Sequence, residues 1–313
     1  LIMGQIIHTS LEDLTFIAYT RRKTFRTLLS LYRTKALANE EIEIKFDHGH
    51  VKVKTNHTGA FFEKVTFEQP QRELQQIILH SGKEVLLMKD LYATHIQLIT
   101  KDEIVISDID DTLLHSHITN KLLKFRTLMF TKVENRKSVK DIQHLIQGFH
   151  RSGATAFYLS NSEQNLYPLI YRFLTHNKLP SGPLFLKDMR KMRDVLINRK
   201  TPYKDVHKMK NLENIIEFLP TKEYILIGDN TQNDLSIYLT IAERFPKQIR
   251  FIIIRKVIEK SNDQRMIKEA DGFLKKNNIG LYYESCYPSD FELKNIFDVT
   301  PPPSSTGNST AHA

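Results

Sequence analysis

Acidic residues cluster directly after an apolar run in the segment EIVISDIDDTLL. Asp108, Asp110, Asp111 and Thr112 stand within five positions. Carboxylates this close repel one another, and the repulsion costs stability unless a cation or a proton lies between them. Oxygen ligands suit a hard divalent ion such as Mg²⁺. The segment therefore indicates phosphate chemistry assisted by a metal ion.

Two further apolar runs also end in polar residues. ATAFYLSNS ends with Ser160 and Asn161, and the Ser160 hydroxyl could donate to a phosphoryl oxygen. EYILIGDNTQND ends with Gly228, which allows close backbone approach, and then with Asp229 and Asp234. A serine or a Gly-Asp turn after a strand is common, so each signal is modest alone. Together they predict that oxygen ligands meet at one place.

Lys208 lies near the start of a predicted helix that leads into the Gly-Asp strand. An ammonium group there could neutralise both a nucleophilic carboxylate and the phosphoryl group that it attacks. Most lysines are solvated surface charges, and that interpretation stays open for this one.

Strand and helix patterns alternate after residue 100. Four short apolar runs are typical of strands that are buried on both faces of a parallel sheet: EIVISD, ATAFYLS, EYILIGD and IRFIIIR. Helical patterns lie between them, for example VKDIQHLIQGFHRSG and DLSIYLTIAERFP. This alternation predicts an α/β fold with a doubly wound parallel sheet and a site where the strands end. We assign it to residues 101–298.

The first 100 residues predict a small β-rich accessory domain with a leading helix. The helix is expected in FRTLLSLYRTKAL, from Phe25 to Leu37. EIEIKFD and HVKVKTN alternate with period two, and Thr58-Gly59 leads into AFFEKVTFE, which predicts hairpins. The Pro/Ser/Thr-rich residues 299–313 are expected to be a disordered tail.

The composition argues against a disulfide-bonded, a membrane-spanning or a secreted protein. The single cysteine, Cys286, excludes an intramolecular disulfide, and no run of eighteen apolar residues occurs. Without a recognisable secretory signal, we expect a cytoplasmic protein that contacts membranes only peripherally, if at all. The net charge of +9 favours an anionic partner, such as lipid headgroups, nucleic acid or an acidic substrate. A basic solvated surface explains the charge equally well.

The order Asp-x-Asp-x-Thr, Ser, Lys and Gly-Asp-x-x-x-x-Asp resembles the haloacid dehalogenase superfamily of phosphotransferases. The resemblance implies that Asp108 attacks phosphorus to form an aspartyl phosphate. Asp110 would protonate the leaving oxygen and then activate water. Mg²⁺ would be held by Asp108, the backbone carbonyl of Asp110 and Asp229, with Asp234 in support.

The same resemblance assigns the phosphate-binding residues. Ser160 and Lys208, with Thr112 and Asn161, would hold the phosphoryl oxygens while charge develops on them. Asp111 is more typical of a turn or a helix cap than of a catalyst. An acid at position 110 favours a phosphatase over superfamily members that lack it, such as dehalogenases and ATPases.

The insert after Thr112 is short. About 25 residues separate it from the helix that begins near Ser138, too few for a large cap domain. An uncapped site suits a large substrate, such as a lipid, a phosphoprotein or a nucleic-acid end. The stretch KLLKFRTLMF in this insert could lie on a membrane or pack on the core as a flap. His115 and His117 could contact a headgroup, although loop histidines usually have no catalytic role.

A closer resemblance covers residues 104–257. SDIDDT, YLSNS, LPSGPLFLKD and IGDNTQNDLSIY are similar to the catalytic domain of the phosphatidate phosphatases known from fungal actin patches. This resemblance implies Mg²⁺-dependent conversion of phosphatidate to diacylglycerol at a membrane surface, with a phospholipid rather than a nucleic acid as the partner. Two alternatives remain open: an uncapped phosphatase for phosphoprotein or nucleic-acid phosphate, and a catalytically idle binding module.

Overall fold

The computed structural model describes residues 1–8, 31–87, 94, 96, 98–99, 101–109, 137–188 and 204–287. In the N-terminal part these residues form short β-strands. The strands are β1 (Ile2–Gln5), β2 (Ile7–His8), β3 (Lys35–Ala36), β4 (Glu41–Phe46), β5 (His50–Lys54), β6 (Ala60–Glu63), β7 (Leu74–Leu79) and β8 (Glu84–Val85). An antiparallel sheet has the order β5-β4-β7-β8, and the pairs β1–β6 and β2–β3 form separate ribbons.

The alternating sequence of β4 explains its pairing. Ile42, Ile44 and Phe46 are buried, while the residues between them are partly exposed, so one face of the sheet covers a small apolar core. The hairpin of β4 and β5 confirms the prediction from EIEIKFD and HVKVKTN. AFFE also forms a strand, β6, but it pairs with β1 at the chain's beginning.

The leading helix ends earlier than predicted. Residues 31–33 are helical, and the predicted extension to Leu37 is wrong because Lys35–Ala36 pair with Ile7–His8 as β3. The backbone N–H of Leu37 donates to the Ile6 carbonyl, 3.0 Å away. Long-range strand pairing thus overrides the local helical pattern. Residues 25–30 of that prediction lie outside the described residues.

The second part is built on a six-stranded parallel sheet. Its strands are β9 (Glu103–Asp108), β10 (Thr155–Glu163), β11 (Leu184–Lys187), β12 (Glu223–Asp229), β13 (Ile249–Arg255) and β14 (Gly280–Glu284). Its helices are α1 (Lys137–Arg151), α2 (Tyr167–His176), α3 (Lys204–Phe218), α4 (Asp234–Arg244) and α5 (Ser261–Lys276), and a 3₁₀ turn covers Gln164–Leu166. The spatial order is β11-β10-β9-β12-β13-β14, with all neighbours parallel.

Helices cover both faces of this sheet. Buried side chains of α1 and α2 share one core cluster with Val105 and Ile225, and those of α3, α4 and α5 share the other with Ile104 and Leu226. Successive strand residues therefore face opposite layers, which explains their continuous apolar character. The α/β fold class with a preceding β-rich part is confirmed. The domain boundary near residue 100 stays a prediction.

The chain after Lys256 completes the sheet. We predicted no element there, yet α5 and the edge strand β14 occupy it. GLYYE is only partly buried, so it lacks the continuous apolar signal of the central strands. The proposed tail at residues 299–313 lies outside the described residues.

The N-terminal part contacts the second part through apolar packing, since Leu31 and Tyr32 belong to one of its core clusters, and through hydrogen bonds. The Tyr32 hydroxyl donates to Glu163 at the end of β10, at 3.2 Å. The Asn165 side chain donates to the Leu31 carbonyl at 3.0 Å. Within the described part of the chain, none of the helices has both the length and the apolar character needed to span a bilayer.

Candidate active site

The candidate site lies where β9 and β12 end side by side. Ile227 is in register with Ser107, so Asp108 and the Gly228-Asp229 pair follow at the same edge of the sheet, here called the carboxyl edge. The order of connections reverses between these two strands, since β10 and β11 lie on one side of β9 and β12 to β14 on the other. Ligands of α/β sheets bind at such a switch point. Asp108 and Asp229 are both fully buried there.

Lys208 enters the site from the first turns of α3. Its Nζ lies 2.8 Å from Asp108 Oδ1 and also forms a short ion pair with Asp234 Oδ1. The side chain is only 2% exposed. Burial alone would lower the pKa of Lys208, but the charges of Asp108 and Asp234 raise it well above the usual value. Lys208 therefore remains a cation shared between two carboxylates.

Asp234 links α4 to the end of β12. Its Oδ2 accepts a hydrogen bond from the backbone N–H of Asp229 at 3.2 Å. Burial raises the pKa of Asp234, the neighbouring Lys208 lowers it, and the Asp229 charge raises it further. Both carboxylate oxygens of Asp234 thus have protein partners. These two contacts hold the turn between β12 and α4 against α3.

Gly228 makes this close packing possible. A Cβ at this position would lie 2.6 Å from Asp234 Oδ2 and 2.9 Å from a ring carbon of Tyr238. Tyr238 is itself fixed, because its hydroxyl donates to the Ile227 carbonyl at 3.1 Å. The glycine was predicted to allow close approach, and the structure identifies the approaching group as the Asp234 side chain.

Asp229 is held by its own turn and by a buried arginine. Thr231 donates to Asp229 Oδ1 from its backbone N–H at 2.7 Å and from its hydroxyl at 2.6 Å. Arg255, in register with Asp229 at the end of β13, places Nη2 4.0 Å from Oδ2. Sequence reasoning gave Arg255 no role, although a basic residue that closes the apolar run IRFIIIR was a usable signal.

Ser160 and Asn161 lie beyond the point where β10 pairs with β9. Leu159 is in register with Asp108, and both polar residues are buried. Ser160 Oγ accepts from the Ser162 backbone N–H at 3.0 Å. Asn161 Nδ2 donates to Gln232 Oε1 at 2.7 Å, which ties this segment to the loop after Asp229.

The structure thus brings Asp108, Asp229, Asp234 and Lys208 together, with Asn161 joined to the same loop. The other predicted site residues, Asp110 and Thr112, lie outside the described residues. So do Asp111, His115 and His117, and residues 113–136 of the short insert.

The chemistry of the donors fits a hard divalent cation. Asp108, Asp229 and Asp234 provide three buried carboxylates against two cations, Lys208 and Arg255. No three Asp, Glu, His or Cys side chains among the described residues form a metal cluster by themselves. Mg²⁺ needs fewer, because it commonly takes one or two carboxylates and completes its shell with water and substrate phosphate. The donor set therefore fits a hard divalent cation held by a few protein oxygens, rather than a structural metal held by three or more protein ligands.

Comparison with known proteins identifies the same region. The family model for the catalytic domain of phosphatidate phosphatase APP1 matches residues 104–256. Phosphatidate phosphatase APP1 of Saccharomyces cerevisiae is 30% identical over 161 residues, which cover 48% of this chain and 25% of that protein. An uncharacterized protein of Schizosaccharomyces pombe is 26% identical over 238 residues, which cover 74% of this chain and 38% of the S. pombe protein. The predicted resemblance to this catalytic domain is confirmed.

The matched relatives are much longer than the aligned region, since this chain spans only 38% and 25% of their lengths. Among solved structures, a carbohydrate acetylesterase from Xanthomonas citri aligns with a TM-score of 0.27 and 8% identity, over 84% of this chain and 67% of that one. A similarity this low carries no argument about function.

Proposed function

We propose that this chain, whose residues 104–256 match the phosphatidate phosphatase catalytic domain, is a Mg²⁺-dependent phosphatase that converts phosphatidate to diacylglycerol at a membrane surface. It would act in the cytoplasm as a peripheral protein. The proposal joins the chemistry of the buried site to the substrate named for the yeast relative.

The observation that carries the proposal is the buried contact of Asp108 with Lys208. A carboxylate with no exposed surface, held 2.8 Å from an ammonium at the carboxyl edge, is oriented by that ion pair. Such a group can act as a nucleophile toward phosphorus. A carboxylate that only stabilised the fold would not need to lie at the switch point of the sheet.

Asp108 would attack the phosphorus of the phosphomonoester. The bond from phosphorus to the glycerol oxygen breaks as the aspartyl phosphate forms, and Asp110 would give its proton to the departing oxygen. Asp110, now a carboxylate, would take a proton from water as that water attacks the same phosphorus. Inorganic phosphate leaves and the Asp108 carboxylate is restored.

The remaining polar residues would hold the phosphoryl oxygens. Lys208 could donate to a phosphoryl oxygen while it keeps its contacts with Asp108 and Asp234, since an ammonium group has three donors. Ser160, Asn161 and Thr112 would add neutral donors, which stabilise the charge that grows on those oxygens.

The carboxylates of Asp108 and Asp229 would hold Mg²⁺ together with the backbone carbonyl of Asp110. Asp234 would support the site indirectly, because it contacts Lys208 and accepts from the backbone N–H of Asp229. When bound, the ion would supply positive charge that partly neutralises the negative charge on the phosphoryl oxygens and so lowers the barrier to attack.

A substrate panel tests the function. The full chain is assayed on phosphatidate in mixed micelles, on a phosphopeptide and on 3′-phosphorylated DNA, each with Mg²⁺ and with chelator. We expect hydrolysis of phosphatidate that chelator abolishes. Hydrolysis of the peptide or the DNA alone would refute the lipid substrate, and no hydrolysis of any substrate would favour a binding module.

Asp108→Asn is the matching test of the nucleophile. The amide keeps the shape of the side chain but cannot form the acyl phosphate, so turnover should fall at least a thousandfold, on the order of the losses seen when a nucleophile is removed. Asp102→Asn is the control, because Asp102 precedes the same strand and its exposed side chain forms an ion pair with Lys222 at the surface. Near-normal turnover in Asp108→Asn would show that the nucleophile is another residue.

A further inference from the structure

The connection that follows β13, residues 256–260, is bonded to the active-site loop at several points. Asn230, the residue after Asp229, makes most of these bonds and is 1% exposed. It belongs neither to the predicted catalytic set nor to the predicted metal ligands. Its role is inferred from its contacts, and that inference rests on the function proposed above.

The Asn230 side chain is fully engaged. Its Oδ1 accepts from the backbone N–H groups of Val257 at 2.8 Å and Ile258 at 3.1 Å. Its Nδ2, which has two hydrogens to donate, lies within hydrogen-bond distance of three acceptors: the Ile258 carbonyl at 2.6 Å, Tyr283 Oη at 2.8 Å and Asp263 Oδ2 at 3.1 Å. Donors and acceptors of one amide thus hold a loop, a helix and a strand together.

These bonds hold the backbone on both sides of Lys256, next to Arg255. The backbone N–H of Asn230 donates to the Arg255 carbonyl at 3.2 Å, and its side chain holds the two residues that follow Lys256. The backbone of Arg255 is therefore held from both directions. The Arg255 guanidinium lies 4.0 Å from Asp229 Oδ2, so Asn230 bonds to the backbone of a residue whose side chain is close to Asp229.

A second bond carries the same connection to the phosphate side of the site. Lys260 Nζ donates to the Gln232 carbonyl at 2.8 Å, and Gln232 Oε1 accepts from Asn161 at 2.7 Å. The segment after β13 thus contacts the Asp229 loop on the metal side and, through Gln232, the Asn161 segment.

We propose that Asn230 is a positioning residue, which sets the orientation of Asp229 toward Mg²⁺ by clamping the β13–α5 connection, and that Lys260 reinforces this clamp. Replacing a residue that orients a metal ligand without touching the metal commonly lowers metal affinity by about 10–100-fold. We expect a loss of about that order here. A side chain that only stabilised the fold would change the melting temperature and leave metal affinity unchanged.

The test measures metal binding without turnover. The full chain is freed of metal with chelator, dialysed and titrated with Mg²⁺ in a calorimeter. We expect Asn230→Ala to weaken Mg²⁺ binding on the order of tenfold or more. Asn277→Ala is the matched control, because Asn277 also donates to a backbone carbonyl, that of Phe273 at 2.9 Å, but lies at the far end of α5. It should bind Mg²⁺ like the wild type.

Lys260→Met provides a second variant in case Asn230→Ala does not fold. It removes a single hydrogen bond from a partly exposed side chain, so the fold should persist and the affinity should fall about threefold. Unchanged Mg²⁺ affinity in the folded Asn230 variant, or in Lys260→Met if the former is unfolded, would overturn the positioning role.

The Mg²⁺ titrations, together with the phosphatidate assay, separate this inference from the proposed function. If the wild type binds Mg²⁺ and Asn230→Ala loses affinity, while neither hydrolyses phosphatidate, the positioning role holds and the substrate assignment fails. If phosphatidate is hydrolysed and both proteins bind Mg²⁺ equally, the function holds and the positioning role fails.

Discussion

Replacing Lys208 by methionine should destabilise the protein strongly at neutral pH. The wild-type ammonium is 2% exposed and contacts both Asp108 and Asp234, so its removal leaves two buried carboxylates without their shared cation. Removing one member of a buried ion pair costs about 3–5 kcal/mol of unfolding free energy. The Asp229 N–H still donates to Asp234, so we expect the loss to stay within that range rather than double.

The loss should depend on pH with a definite sign. Burial already raises the pKa of Asp234 in the wild type, and Lys208 is the main group that lowers it. Without Lys208 the folded-state pKa rises further above the unfolded value. A raised carboxyl pKa stabilises the folded state below the unfolded pKa, and this contribution is lost as pH rises through the folded pKa. The deficit should therefore be largest at neutral pH and shrink as pH falls.

Urea unfolding near pH 7.5 and near pH 5.5 measures both effects. Lys222→Met is the matched control, since Lys222 pairs with the exposed Asp102 and its loss should cost about 0–1 kcal/mol at either pH. Turnover of Lys208→Met should also fall, by about 10²–10³, if Lys208 stabilises the developing phosphoryl charge. Equal stability of the two variants, or a Lys208 deficit independent of pH, would refute the ion-pair reasoning.

Two other substitutions test a close contact in the site and a hydrogen bond between the two parts of the chain. Gly228→Ala should cost about 1–3 kcal/mol and lower turnover, because the new methyl group would meet Asp234 at 2.6 Å and Tyr238 at 2.9 Å, and urea unfolding with a kinetic assay measures both. Unaltered stability would mean that the β12–α4 turn shifts freely. Tyr32→Phe should cost about 1 kcal/mol, because it removes the 3.2 Å hydrogen bond to Glu163. Hydrogen exchange at β10 should then increase, and unchanged exchange would contradict the link.

Local patterns predicted most of the parallel sheet and its helices. The apolar strands of β9, β12 and β13 and the helix ending before Gly153 have periodicities that need no knowledge of distant residues. The segment LPSGPLFLKD contains the edge strand β11. The meeting of Asp108 and Asp229 followed from one rule, because parallel strands end at the same edge. Lys208 comes from helix α3, which that rule does not cover.

Contacts between distant segments could not be predicted in this way. The proximity of Arg255 to Asp229 depends on the register of β12 and β13, which apolar composition does not specify. The bonds of Asn230 depend on the path of a loop that the sequence does not reveal. β3 was missed for the same reason, since its partner β2 lies far away along the chain.

The edge strand β14 shows that the parallel sheet extends beyond the region matched by sequence similarity. The family match ends at residue 256, but β13 pairs with β14 along residues 251–255, and the Tyr287 hydroxyl donates to the Ile254 carbonyl at 2.9 Å. A fragment cut at the end of the match would leave the backbone groups of β13 open to pairing with other chains, which promotes aggregation. A soluble fragment for crystallisation or screening should therefore extend at least through Tyr287.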